Sequence, residues 1–179
     1  MKSSKILLGV TGGISVYKVC DLIRVLKKDG HQVSVILSEG ALKFIKPLVF
    51  QTLTENKTYW DLFSENNPFE IPIHIGLAEG NDIMVIVPAT ANTIAKIYSG
   101  IADSLLTSTV LAFTKDVLFV PAMNTNMYKN KITQRNINEL KNIGYHFLEP
   151  EIGELACKII GEGHLPDIDK IKNFIYKFL

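Results

Sequence analysis

The stretch that decides the fold is KILLGVTGGISVYKVCDLIRVLKKDG, Lys5 to Gly30. It opens with six residues rich in apolar side chains and no alternation, the pattern of a strand covered on both faces. Gly12 and Gly13 interrupt it, and a helical period follows: Val16, Val19, Cys20, Ile23 and Leu26 share one face, while Arg24, Lys27 and Lys28 fall on others. Gly30 is placed to end that helix. Strand, tight turn and amphipathic helix in this order form the first half of a βαβ unit.

The unit repeats along the chain. HQVSVIL (31–37), DIMVIVP (82–88), DVLFVP (116–121) and YHFLEP (145–150) read as further buried parallel strands. NTIAKIYSGIA, SLLTSTVLAF, ITQRNINELKNIG and the terminal DIDKIKNFIYKFL read as helices. Such alternation predicts a doubly wound α/β sheet in one domain over 1–179, with ligands bound where the chain leaves the carboxyl ends of the strands. The segment 55–75, with Pro68 and Pro72, is the least regular and is read as a loop or flap. No internal repeat or low-complexity tract stands out.

Composition narrows the class of function. A chain of 179 residues, 47% hydrophobic and 21% charged, buries a core without staples. Nineteen basic residues against eighteen acidic ones leave a net charge of +1, with no charge run suited to nucleic acid or a membrane surface, so a small-molecule partner is favoured. The apolar run near the N-terminus stops at Gly12 and Gly13, unlike a signal peptide, and nothing is long enough to span a bilayer. Two cysteines without a CxxC make a disulfide or a cysteine-based zinc site improbable, and a reducing cytoplasm is the expected compartment. No metal site is expected.

The loops after the strands carry the candidate chemistry. TGGIS (11–15) has two readings that weigh equally: a phosphate cradle of backbone N–H groups, or a tight turn needing glycine for geometry alone. It is neither GxGxxG nor a Walker A loop, which favours a mononucleotide over a dinucleotide. Ser38-Glu39-Gly40 follows the second strand. PATANT (88–93) offers Thr90, Asn92 and Thr93, residues more often found as helix caps. In PAMNTNM (121–127), Met123 is a soft surface for a flat ring. Asn124 has both a donor and an acceptor, though such residues are more often turn formers. His31 and His146 read as strand-edge histidines, Cys20 as a structural thiol, and a lone histidine such as His74 as a satisfied side chain beside Ile73 and Ile75.

Taken together, TGGISVYK, the IHI around His74, PATANT, ADSLLT and PAMNTNM resemble the flavin-dependent cysteine decarboxylases over nearly the whole chain. The resemblance implies a flavodoxin-like (Rossmann-like) three-layer α/β/α fold that binds FMN and assembles as a homotrimer or a dodecamer, a tetramer of trimers. It carries FMN contacts onto Gly12, Gly13, Ile14, Ser15, Ser38, Pro88, Ala89, Thr90, Ala91, Thr107 and Met123. It also makes His74 the base of an oxidative step, supplied across a subunit interface, and Asn124 the holder of the substrate carboxylate. LACKIIGEGHLPD (155–167) resembles the flap of those members that convert 4'-phosphopantothenoylcysteine to 4'-phosphopantetheine in coenzyme A biosynthesis. There Cys157 is implied as a late proton donor, Ala156 and Lys158 as substrate contacts, and Gly161 and Gly163 as turn residues that give the flap room to close. Lys158 stands where a glycine is usual and His164, a further flap contact, where an arginine is usual.

The implied chemistry fits those residue types. Direct loss of CO2 from a cysteine carboxylate leaves a carbanion with no electron sink. Oxidation of the thiol carbon by the flavin gives a thioaldehyde, whose C=S accepts the pair as CO2 departs to leave an enethiolate. Reduction back to the thiol then needs a proton donor on a covering flap. A peptidyl-cysteine decarboxylase of lantibiotic biosynthesis stops at the enethiol and needs no such donor, so Cys157 argues for the first reading. A non-catalytic FMN protein, an electron carrier or regulatory subunit, gains nothing from the thiol and His74. Members acting on the coenzyme A precursor are often fused to phosphopantothenate–cysteine ligase, so this chain is either free-standing or one domain of a longer protein.

Overall fold

The computed structural model describes residues 3–155, 158 and 160–179. In chain order, β1 (Lys5–Val10) leads through a 3-10 turn (Ile14–Lys18) into α1 (Val19–Lys28), β2 (Gln32–Leu37), α2 (Pro47–Thr54), β3 (Thr58–Tyr59) and α3 (Ile73–Glu79). Then come β4 (Ile83–Ala89), α4 (Ala91–Tyr98), α5 (Leu105–Ala112), β5 (Val117–Pro121), α6 (Thr125–Lys129) and α7 (Lys131–Asn142). The chain ends with β6 (His146–Phe147), β7 (Glu151–Glu154), β8 (Ile160–His164) and α8 (Ile168–Tyr176).

Six parallel strands lie in the order β3-β2-β1-β4-β5-β6, so the winding reverses between β1 and β4. This is the doubly wound, flavodoxin-like order with the short β3 added at one edge. The unalternating strand sequences are explained by two cores. Ile6, Leu8 and Val10 point to one face and pack with Leu22, Ile23 and Leu26 of α1, Phe50 of α2 and Ile171 and Ile175 of α8. Leu7, Met84, Ile86 and Phe119 point to the other, against Ile73 and Leu77 of α3, Ile94 of α4, Leu106 of α5 and Ile137 of α7. Each such side chain, fully buried, contributes about 1.5–3 kcal/mol, and the two faces together make the three layers.

Several expectations are refined. α1 ends as the glycine signal predicts, with Gly30 at φ +90°. Cys20 is half-buried against the first core, and burial raises its thiol pKa. The irregular segment 55–75 contributes β3 and leads into α3, both unforeseen. β3 is only two residues long, and α3 holds seven, too few for a helical period to declare itself. The apolar run 145–150 narrows to the two-residue edge strand β6. His146 is an edge histidine, its Nε2 2.9 Å from Asp116. His31 is not: only 4% exposed, it accepts from the Ser4 N–H through Nδ1 (3.3 Å), and burial lowers its pKa.

The largest departure lies in the flap. β7 and β8 pair antiparallel, forming a hairpin apart from the main sheet. Gly161 and Gly163 are strand residues there rather than turn residues with room to move. A Cβ on Gly161 would lie 2.2 Å from Thr125 Oγ1, and one on Gly163 2.1 Å from the Met123 carbonyl oxygen. Close approach of the Thr125 side chain to Gly161 and of the Met123 backbone to Gly163, not freedom to close, explains these two glycines.

Candidate functional site

At the switch point, Thr11 ties the exits of β1 and β4 together. Fully buried, its hydroxyl donates to the Pro88 carbonyl (2.5 Å) and accepts from the Thr90 N–H (3.1 Å). The polarity of Thr11 inside TGGIS was its only sequence signal, and nothing in the pattern separated a clamp from a ligand contact. The exits of β1 and β2 also touch. A Cβ on Gly12 would come within 2.7 Å of the Gly40 backbone, so the fold itself demands glycine there. Gly13 differs: a Cβ would meet Pro88 and Thr90 at 3.6 and 3.9 Å, ordinary contact. The two readings of TGGIS thus divide between its glycines. Gly12 serves geometry, and Gly13 leaves backbone bare beside a cleft.

That cleft, about 860 Å³, opens above these turns. Gly12, Gly13, Ile14 and Ser15 line it from the first turn, Ser38 from the second, Thr90 and Ala91 from the third, and Thr107, Met123 and Asn124 from the far side. The Gly13 N–H donates to the Thr11 carbonyl (2.9 Å) and the Val16 N–H to the Gly13 carbonyl (3.0 Å), so the first-turn donors that the helix start leaves for a phosphate are those of Ile14 and Ser15. Thr90 caps α4, accepting from the Thr93 N–H at 3.3 Å. Ser104 and Thr107 form a capping box on α5. Asn124 caps α6, its Oδ1 accepting from the Asn126 N–H at 2.9 Å. Each of these polar residues therefore serves both a helix terminus and the cleft wall.

Other candidates lie elsewhere. Pro88 and Ala89 are buried and sit beneath the cleft rather than on its lining. His74, half-buried on α3, is absent from the lining of its own chain's cleft. Ala156 and Cys157 fall outside the described residues. Lys158 occupies a turn with its N–H donating to the Leu155 carbonyl (2.8 Å) and φ +61°, a left-handed conformation that favours glycine.

The hairpin closes one side through Glu154, Leu155, Gly163 and His164. It is seated by the Met123 N–H donating to the Gly163 carbonyl at 3.0 Å. Behind it, the Tyr128 hydroxyl donates to Glu149, which also accepts from Lys141. Burial and the neighbouring Glu149 carboxylate push the Tyr128 pKa up. Lys18, Lys96 and Asp103 also line the cleft, Lys96 and Asp103 as an ion pair of 2.5 Å. Among the described residues no three His, Cys, Asp or Glu side chains gather to hold a metal, and no helix is long and apolar enough to cross a membrane.

A cleft lined by bare backbone, helix caps and a methionine at the switch point of a doubly wound sheet defines a protein that binds a mononucleotide with a flat ring. The family described as Flavoprotein matches residues 1–179, and the chain belongs to it, among the flavin-dependent cysteine decarboxylases. Its cofactor is FMN, which the bare backbone at Gly13 and the polar turn fit.

The "Coenzyme A biosynthesis bifunctional protein CoaBC" of Bacillus subtilis is 44% identical over 171 residues, 96% of this chain and 42% of that protein. The chain thus spans less than half the length of that relative. The "Probable phosphopantothenoylcysteine decarboxylase" of Streptococcus mutans is 43% identical, over 94% of this chain and 95% of its own length. Among solved structures, a cysteine-to-serine mutant of PPC decarboxylase complexed with pantothenoylaminoethenethiol superposes with a TM-score of 0.89. It is 28% identical, over 99% of this chain and 98% of that one.

Proposed function

We propose that this chain decarboxylates 4'-phosphopantothenoylcysteine to 4'-phosphopantetheine in coenzyme A biosynthesis, as one flavoprotein decarboxylase domain over residues 1–179. The observation that carries this is the seating of the hairpin on the cleft. Gly163 meets Met123 with no room for a side chain, and the sequence between the two hairpin strands includes Cys157. The likeness to a protein solved with a pantothenoyl thiol ligand supports the small substrate over a peptide.

FMN supplies a two-electron acceptor that later returns the electrons. The remaining work falls to the protein. Asn124 orients the carboxylate by hydrogen bonding without neutralising it, so it stays ready to leave. His74 takes the proton released in the oxidative step. Cys157 gives a proton back in the reductive step, while Ala156 and Lys158 hold the substrate beneath the hairpin. The position of His74 outside the cleft of its own chain supports a site completed by a second copy, in a homotrimer or a tetramer of trimers. The span of the chain within its bifunctional relative supports an association, by fusion or otherwise, with phosphopantothenate–cysteine ligase. The substrate's place in metabolism makes the cytoplasm the working compartment.

Incubating the FMN-loaded protein with 4'-phosphopantothenoylcysteine and weighing the products tests the proposal. Phosphopantetheine is the expected mass. Oxidative decarboxylation of peptides ending in cysteine, with none on the coenzyme A precursor, would transfer the assignment to the peptide-modifying class. Cys157→Ser is expected to keep FMN and stop at the oxidised, decarboxylated product.

A further inference from the structure

Lys18 and His164 meet across the cleft from different elements. Lys18 ends the 3-10 turn that follows TGGIS, and His164 ends β8 of the hairpin. The ammonium Nζ lies 3.3 Å from the imidazole Nε2. An ammonium can only donate, so Nε2 accepts in this contact; an oxyanion that takes the ammonium releases the imidazole to present an N–H of its own. Both side chains are half-buried and line the cleft.

What the pair lacks is as informative. Among the described residues, no carboxylate lies within ion-pair distance of Lys18. The other charged groups nearby are committed or stand apart: Lys96 pairs with Asp103, Glu151 across the hairpin from His164 pairs with Lys170, and Glu162 pairs with Lys129. Glu39 and Glu154 line the cleft, and among the described residues neither forms an ion pair with Lys18 or His164. A half-buried ammonium facing an imidazole rather than an anion is poorly compensated, and a ligand oxyanion reverses that.

We propose that Lys18 and His164 together hold a phosphate monoester in the cleft. Two point donors on separate elements suit a tetrahedral dianion with three acceptor oxygens better than a planar carboxylate, which a single guanidinium fork matches. The phosphate belongs to the substrate or to the flavin. The substrate is the expected source, because His164 lies on the hairpin while the bare backbone of the TGGIS turn is available to the flavin phosphate. Only the identity of the ligand rests on the function proposed above. Because the pair joins turn to hairpin, the same ligand would also bind the hairpin to the sheet.

The test compares two pairs of ligands by calorimetry: 4'-phosphopantetheine and pantetheine on the FMN-loaded protein, and FMN and riboflavin on the flavin-free protein. Lys18→Met and His164→Gln are each expected to weaken 4'-phosphopantetheine by about 10- to 100-fold, the loss of one charge-assisted hydrogen bond, while pantetheine changes less than about twofold. His164→Arg should restore the phosphorylated ligand. A selective loss of FMN over riboflavin instead would keep the phosphate site and assign it to the cofactor. Equal weakening of both members of each pair, or no change in any, overturns the proposal. Wild-type protein that binds neither pantetheine compound refutes the proposed substrate, and the flavin pair then decides the role of Lys18 and His164 alone.

Discussion

The two walls of the cleft are built differently. The sheet rim is made of strand exits welded to one another: Thr11 is fully buried between β1 and β4, and Gly12 rests against Gly40. Among the described residues, the hairpin wall meets the body through the Met123–Gly163 backbone bond, the Lys18–His164 contact and the packing of Gly161 on Thr125. Exposed ion pairs add little. Ile152 and Ile160 on the hairpin are each 76% exposed, whereas the strands of the main sheet carry fully buried side chains. Global stability therefore resides in the rim, and the hairpin is a unit that opens at lower free energy. The proposed role of the hairpin, admitting substrate and then covering it, suits that weaker end.

Gly163→Ala should produce the largest effect. It places a Cβ on the Met123 carbonyl oxygen at φ +130° and unseats the hairpin. Turnover of the FMN-loaded protein is expected to fall by about 100-fold or more, the scale of lost positioning. The flavin spectrum and melting temperature should stay near wild type. A large drop in melting temperature would show that the hairpin is part of the global folding unit.

Next come the paired glycines of the rim. Gly12→Ala drives a Cβ into the Gly40 backbone and should destabilise the protein by about 1–3 kcal/mol, read by denaturant titration. Gly13→Ala meets only ordinary contacts, so stability should hold while FMN affinity falls. Equal stability losses in both variants would place the whole turn under one geometric constraint.

A smaller gain is expected from Lys158→Gly. Relieving a left-handed lysine should stabilise the hairpin by about 1 kcal/mol, seen as slower amide exchange in β7 and β8 with little change elsewhere.

The smallest effect concerns the core behind the rim. Burial depresses the pKa of His31 below its ordinary 6.5, so the unfolded chain binds the proton more readily. The stability this residue contributes is complete above pH 6.5 and is lost as pH falls through the folded pKa. His31→Gln should flatten that part of the stability–pH curve, and an unchanged slope would remove His31 as its source.

Legibility followed the range of the forces involved. KILLGV, DIMVIVP and DVLFVP declared themselves because a strand buried on both faces must be apolar throughout, and α1 because its period and Gly30 are local signals. The short β3 and α3 escaped notice, as did the hairpin, since two to seven residues hold too little periodicity and their pairing comes from chain far away. The motif loops could be placed on the cleft from sequence, yet their division of labour could not.

By itself, the amino-acid order determined the doubly wound sheet, the exits at which a ligand binds and the family to which the chain belongs. The sheet and its exits depend on hydrophobic period and turn chemistry, which act between near neighbours, and the family on the resemblance carried by TGGISVYK, PATANT and PAMNTNM. Only the tertiary structure decided that Gly12 answers to Gly40, that Gly161 and Gly163 are spaces for Thr125 and Met123, and that Lys18 faces His164. Each is a contact between residues remote in sequence, set by how close their elements come once the sheet and the hairpin have formed.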